Sequence, residues 1–199
     1  MENPDSIRDF WFGSNPDDVV VAQQRSKLWW SKNPDTDQDI RNRFEIQLQR
    51  AADNALTAWT ESAAGLLALV LLTDQFARNM YRHTPKAFQF DAMAQDWCQT
   101  GLARGMDQML RPIERVFFYL PLEHSEALAH QEQSVRLYAR LYQEVPPEYM
   151  DTFRRFLMFA LRHRRIIERF GRFPHRNEVL GRLSTPEEIL FLKEPGSSF

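Results

Sequence analysis

The sequence predicts an all-α protein built from stacked antiparallel helical hairpins. Three observations point there. Apolar residues recur at helical spacing along most of the chain. Glycine is scarce, at seven, and the eleven prolines fall mainly where helices would begin or end. Alternating apolar and polar residues never extend beyond short runs such as VVV or FQF, too brief for a strand to compete.

Asn3 before Pro4 and Asn15 before Pro16 each put a capping side chain ahead of a proline that suits a first helical turn, predicting two early helices. The second is expected over 16–30 and carries Val19, Val20, Leu28, Trp29 and Trp30. Asp35 or Thr36 opens a third, to about Asn54, with Ile40, Phe44, Ile46, Leu48 and Ala51 on its apolar side. From about Ser62 to Tyr81 the chain is apolar nearly all round through Leu72, the pattern of a central helix with contacts on every side.

Thr84-Pro85 predicts the next helix, over 85–103, packing through Ala87, Phe88, Met93, Ala94 and Trp97. Pro112 starts a short helix through Phe117, Phe118 and Leu120. Pro121 is expected to interrupt it, before Ser125 caps another reaching about Glu144. Pro146-Pro147 separates that from a helix over 148–170. Gly171 and Pro174 then lead to a short helix near 177–180, and Thr185-Pro186-Glu187-Glu188 opens a last one through Leu192.

A chain of 199 residues, 43% hydrophobic and 13% aromatic, can bury roughly 70% of its unfolded surface, enough for one substantial core. No linker or low-complexity segment divides it, so 1–199 reads as a single helical domain. No clean repeat is present, although the succession of helices suits a solenoid-like stack. The net charge of −2 supplies no overall field for nucleic acid. Cys98 is the sole cysteine, which removes an intramolecular disulfide framework and a cysteine zinc site. The start MENPDSIRDFW lacks the basic and apolar parts of a secretory leader, and the longest apolar run, Ala63 to Leu72, is half of the ~20 residues a bilayer requires. A cytoplasmic protein with no membrane span is therefore expected.

Several polar groups interrupt the apolar pattern. Asp74 and Arg78 lie four apart, in line with Leu67 and Leu71, with Gln75 and Asn79 beside them. They can form either a polar pocket floor or a helical ion pair; Asp74 is expected to be buried and to pair with an arginine. In Glu123-His124-Ser125-Glu126, capping accounts for Ser125 and Glu126. An imidazole beside a carboxylate can be fixed in one tautomer and serve as acid or base, which makes His124 and Glu126 candidates. His163 shares a stripe with Phe156, Phe159, Ala160, Ile167 and Phe170 and should face the core.

Between Arg162 and Arg176 six arginines face one acid, Glu168, a local charge of +5 with His163 and His175 neutral. Arg162, Arg165, Arg169 and Arg176 could present planar forks to a phosphate or carboxylate, with Arg172 a further binding candidate, or the arginines could pair with Asp74, Glu123 or Glu126. His175, Arg176 and Asn177 form a candidate corner in which Asn177 caps a helix and an anion meets free amides. Phosphate-loop and dinucleotide glycine patterns, HExxH and paired Glu-x-x-His motifs are missing from the sequence. Glu126 and His130, four apart, do not by themselves make a metal site, so neither cofactor nor metal is expected.

The segments DFWFG at Asp9–Gly13, LLTDQFARNMYR at Leu71–Arg82, YLPLEHSEALAHQE at Tyr119–Glu132 and RFGRFPHRNEVLGR at Arg169–Arg182, with the tail STPEEILFL, closely resemble an uncharacterised bacterial family, domain of unknown function 924. The resemblance spans nearly the whole chain. It implies a helical fold similar to tetratricopeptide-repeat domains and no particular activity. The family usually has proline where this chain has Ala77, which implies a straighter helix here. It also singles out His124–Glu126 and Phe170–Asn177 as site candidates. Three functions remain open: a non-catalytic binding module with an Arg/His-lined groove for an acidic peptide or small anion, a hydrolase or transferase using His124 or His163 with Glu126 and the arginines, and a structural or oligomeric protein, which would show a large exposed apolar patch.

Overall fold

In the computed structural model, which describes residues 2–198, the regular structure is helical throughout. Helix α1 (Pro4–Phe12) begins as its residues demand: the Asn3 side chain accepts from the Ser6 amide while the Ser6 hydroxyl accepts from the Asn3 amide. Helix α2 (Asp18–Trp30) is capped by Asp17, which accepts from the amides of Val19 and Val20; Asn15 instead accepts from the Asp17 amide. Helix α3 (Pro34–Ala52) is capped by Asn33, two or three residues earlier than expected.

The central apolar segment is not one α-helix. Helix α4 (Ala63–Val70) passes into a π-helical turn, Leu71–Phe76, and then into α5 (Ala77–Met80). Every residue of the turn is buried, so the wider winding is enclosed by packing on all sides and changes where each side chain points. Gly65 is needed where α4 starts, because a Cβ there would collide with the Trp59 carbonyl oxygen.

A 3-10 turn, Pro85–Phe88, precedes α6 (Asp91–Ala103), so the helix expected from Pro85 onward is divided near Phe90. Helix α7 (Pro112–Glu123) runs through Pro121 rather than ending there. Pro121 cannot donate to the carbonyl four residues back, yet the bonding resumes beyond it, where the His124 amide donates to the Leu120 carbonyl at 2.8 Å. Helix α8 (Leu128–Glu144) begins after Ala127; Ser125 accepts from the Ala127 amide without being the residue that precedes the helix. Helix α9 (Met150–Phe170) ends at Gly171, whose φ of 66° suits a residue without Cβ. A 3-10 turn at Pro174–Arg176 and the short α10 (Pro186–Phe191) complete the fold.

Successive helices pack against one another: α7 on α8 and α8 on α9, with α4 between α1 and α6. The main core gathers Trp11, Phe44, Phe76, Phe117, Tyr138 and Phe153, all essentially inaccessible. Each such burial stabilises by about 1.5–3 kcal/mol, and edge-on contacts such as Trp11 with Phe117 at 5.6 Å add to it. A smaller cluster of Ile166, Ile167, Phe173 and Phe191 fastens α10 to the end of α9. No helix among the described residues is long and apolar enough to cross a membrane.

Candidate functional site

The π-helical turn holds Asp74 at 1% exposure, with its carboxylate at the centre of a converging set of donors. Arg78, one turn on in α5, donates to Asp74 Oδ1 at 3.0 Å. Gln75 donates to Oδ2 at 2.5 Å. His124, just past the end of α7, brings Nδ1 to 2.8 Å from Oδ1 and 3.0 Å from Oδ2. Asp74 is therefore buried and paired with an arginine, as expected from the sequence, and it is also the carboxylate that holds His124.

Two further residues complete the cluster. Asp91, at the start of α6, takes Arg78 on Oδ1 at 3.0 Å and Arg176 on Oδ2 at 3.3 Å. Arg176, from the turn after α9, also donates to the His124 carbonyl at 2.9 Å. Both guanidiniums lie over the Phe88 ring, with centroid distances of 5.2 Å for Arg78 and 4.8 Å for Arg176, and Arg176 lies equally over Phe173. The Nε–H groups of Arg78 and Arg176 are buried without a hydrogen-bond partner among the described residues.

Burial alone would raise the Asp74 carboxyl, but His124 and Arg78 outweigh it and hold it well below the usual carboxylate range. His124 is pushed down by burial and by the charges of Arg78 and Arg176, which together exceed the pull of Asp74. Near neutral pH the pair is thus a carboxylate and a neutral imidazole. Nδ1–H donates to Asp74, which leaves the Nε2 lone pair on a ring whose side chain is 15% exposed. Burial and the neighbouring charge of Arg78 bring Arg176 down to about 10.

His163 does face the interior. Its Nδ1 lies 2.9 Å from the Phe159 carbonyl and 3.0 Å from Glu123 Oε1, and its ring stands 6.1 Å from that of His124. Burial pushes Glu123 up to about 8, so this second carboxyl–imidazole pair is uncharged at neutral pH; burial likewise holds His163 well below its ordinary value. His175, half-buried beside Phe173, is pushed down to about 3 by burial and by Arg176 and Arg78.

The remaining candidates lead away from this cluster. Asn79 donates to Asp37 at 2.8 Å and fastens α5 to α3. Glu126 accepts from Arg182 at 2.7 and 3.0 Å and from the Phe173 amide at 2.8 Å, so it does not orient His124. Arg172 pairs with Glu188 at 2.7 Å and Arg169 with Glu187 at 2.9 Å. Asn177 caps no helix: its amide donates to Ser184 and Glu188, and its oxygen accepts from Arg182. Phe173 and Arg182 close this corner together with Glu126. His130 meets the Ser125 hydroxyl at 2.9 Å and so goes to a different partner from Glu126.

Sequence reasoning missed Asp91, Phe88 and Arg182. Asp91 reads as an ordinary acid in a first helical turn, and only the fold sets it between two arginines. Two surface depressions lie elsewhere. One, of about 390 Å³, is lined by residues including Arg155, Met158 and Phe159, and the other, of about 310 Å³, by residues including Asp37, Arg82 and His83.

The comparisons with known proteins concern the fold and the family. A solved structure described as a protein of unknown function, ATU0120, from Agrobacterium tumefaciens is 36% identical, with each chain covered to 96% and a TM-score of 0.81. No curated protein matches the chain. Residues 7–196 match the model of the bacterial proteins of unknown function, DUF924, and they contain every residue of the cluster just described. With nearly its whole length matched, the chain belongs to the DUF924 family of bacterial proteins.

Proposed function

We propose that the chain is a cytoplasmic ligand-binding protein whose Arg78–Asp91–Arg176 cluster takes a small anion, or the acidic end of a peptide, through carboxylate or phosphate oxygens. The observation that carries the reading is the pair of buried guanidiniums. They arrive from separate segments, share one carboxylate, and each keeps a buried Nε–H without a partner. A buried donor left unsatisfied costs about 1–3 kcal/mol, which an incoming oxygen recovers. In the free protein Asp91 supplies the carboxylate that a ligand would share or replace.

The arginine-rich run does not support the reading by its net charge, because Arg164, Arg169 and Arg172 each pair with a glutamate. Around the cluster itself Arg78 and Arg176 face Asp74 and Asp91, so recognition rests on directed hydrogen bonds rather than on a long-range field. The test is thermal unfolding with inorganic phosphate or succinate at matched ionic strength. The parent should be stabilised, Asp91→Asn should respond more strongly because its competing carboxylate is gone, and Arg176→Lys should respond less. Equal responses in the parent and Arg176→Lys would remove the cluster as a binding site.

A further inference from the structure

We propose that His124 is a general base that hydrolyses an ester bond in the anion held by Arg78 and Arg176, with Asp74 as its positioning residue. The inference rests on the binding reading above and adds a reaction to it.

A general base must present a lone pair at neutral pH, hold one orientation, and stand beside whatever binds the substrate. The first condition is met by the tautomer. Both oxygens of Asp74 lie within 3.0 Å of Nδ1, so Nδ1 carries the proton and Nε2 the lone pair. The second follows from how firmly each partner is itself held. Gln75 and Arg78 lock the carboxylate, and Arg176 grips the backbone carbonyl of the same histidine. The third follows from that last bond and from Arg78. Arg176 holds the backbone carbonyl of His124, Arg78 shares its carboxylate, and the charges of both bear on the ring, so a substrate anion bound between the arginines lies within reach of the imidazole.

The other titratable groups around the ring are consistent with a neutral base. The His163 ring faces it from α9, with the uncharged Glu123 behind, and His175 stands near Arg176 in the turn that follows. Glu126 lies with Arg182. Placement of the carboxylate in a π-helical turn accords with the frequent occurrence of such turns at functional sites.

The step balances without a co-reactant. A water molecule attacks the ester carbonyl carbon as Nε2 accepts one of its protons, and the new C–O bond gives a tetrahedral oxyanion. Arg78 or Arg176 offsets that developing charge. On collapse the ester C–O bond breaks, the imidazolium returns its proton to the leaving alkoxide, and the products are a carboxylic acid and an alcohol. Asp74 stabilises the imidazolium throughout and keeps its own charge.

The probe is mono-p-nitrophenyl succinate, compared with the uncharged p-nitrophenyl acetate, with release of nitrophenol followed between pH 5 and 8. The parent should hydrolyse the anionic ester above the buffer rate and in preference to the acetate. The rate should rise with pH through an inflection below the ordinary histidine value and then level off. His124→Gln should lose roughly 100-fold or more. Asp74→Asn should move the inflection to lower pH, because removing the carboxylate leaves the imidazolium facing two arginines unopposed; an unmoved inflection would mean that the group titrating in the rate is not the His124 held by Asp74.

Nitrogen NMR of the parent needs no variant to fold. It should show His124 protonated on Nδ1 at neutral pH, and the opposite tautomer would overturn the inference. Stabilisation by succinate without hydrolysis, or with hydrolysis unchanged in His124→Gln, defeats the catalytic inference and leaves the binding reading standing. No stabilisation by succinate and no hydrolysis defeats both.

Discussion

Arg169 and Arg172, at the end of α9 and just beyond it, and Arg78 and Arg176, which meet over Phe88, all pair with carboxylates, yet their surroundings differ. Arg169 and Glu187 stand 47% and 61% exposed and join two neighbouring surface segments. Arg176 is 7% exposed and lies between two phenylalanine rings, with its partner Asp91 at 16%, and Asp74, the partner of Arg78, is 1% exposed. Water screens the first pair and competes for its hydrogen bonds; the second set depends on its own members for nearly all of its solvation. Density of charge along the chain therefore says little about energy. The densest run of arginines is largely a set of paired surface groups, and only its last member, Arg176, joins the consequential charges, meeting Asp91 across 85 residues of sequence.

The contrast can be broken most directly at Asp74. Asp74→Ala leaves Arg78 and His124 without their shared carboxylate, and loss of one partner of a buried pair costs about 3–5 kcal/mol. Urea unfolding of the variant at pH 7 should show that loss; a value below about 1 kcal/mol would put the interior cluster on the same footing as the surface pairs.

A pH series on Glu123→Gln sharpens the comparison from the other side. Glu123 carries a pKa of about 8 in the fold against an ordinary 4.5. The native chain therefore keeps a proton that the unfolded chain releases. That contribution to stability is complete below pH 4.5 and is lost as pH rises to about 8. Glutamine has no such proton to lose, so the variant should gain on the parent across this window, by about 4 kcal/mol at its upper end. Buried neutral His163 changes stability in the opposite sense below its ordinary value and touches Glu123, so the difference is read above pH 6.5, where His163 is neutral in both the folded and the unfolded chain. A parallel pair of stability curves would show that Glu123 ionises normally.

The smallest effect is expected at Arg169→Ala, which removes an exposed pair and should cost less than about 1 kcal/mol, less still in high salt. A larger loss would mean that the Arg169 stem, which lies over Phe170 and Phe191, carries packing as well as charge.

Where local rules decide, the sequence was legible. The Asn3 and Thr185 capping boxes, the ends of α9 and α10 and the buried central segment follow from side chains within a few positions of one another. Ser125 and Asn177 show where such rules stop. Both have the right chemistry for a helix cap, and both are engaged by partners that only the folded chain supplies: His130 for Ser125, and Ser184, Glu188 and Arg182 for Asn177. Asp74, Arg78 and His124 could be singled out as charged or polar interruptions of apolar stripes. That Asp74 rather than Glu126 holds the imidazole could not be read, because Glu126 is two residues from His124 and Asp74 is fifty.

Local spacing was enough for the all-helical class, the order of most helices, the burial of the Leu71–Phe76 stretch and the pairing of Asp74 with an arginine, since each depends on residues near one another in the chain. Tertiary structure alone decided the π-helical turn, the passage of α7 through Pro121, and the meeting of Asp91, Arg78 and Arg176 beneath His124. Those features depend on which surfaces pack together. A buried charge takes the partner that the packed elements bring within hydrogen-bond reach, however far away that partner lies in the chain.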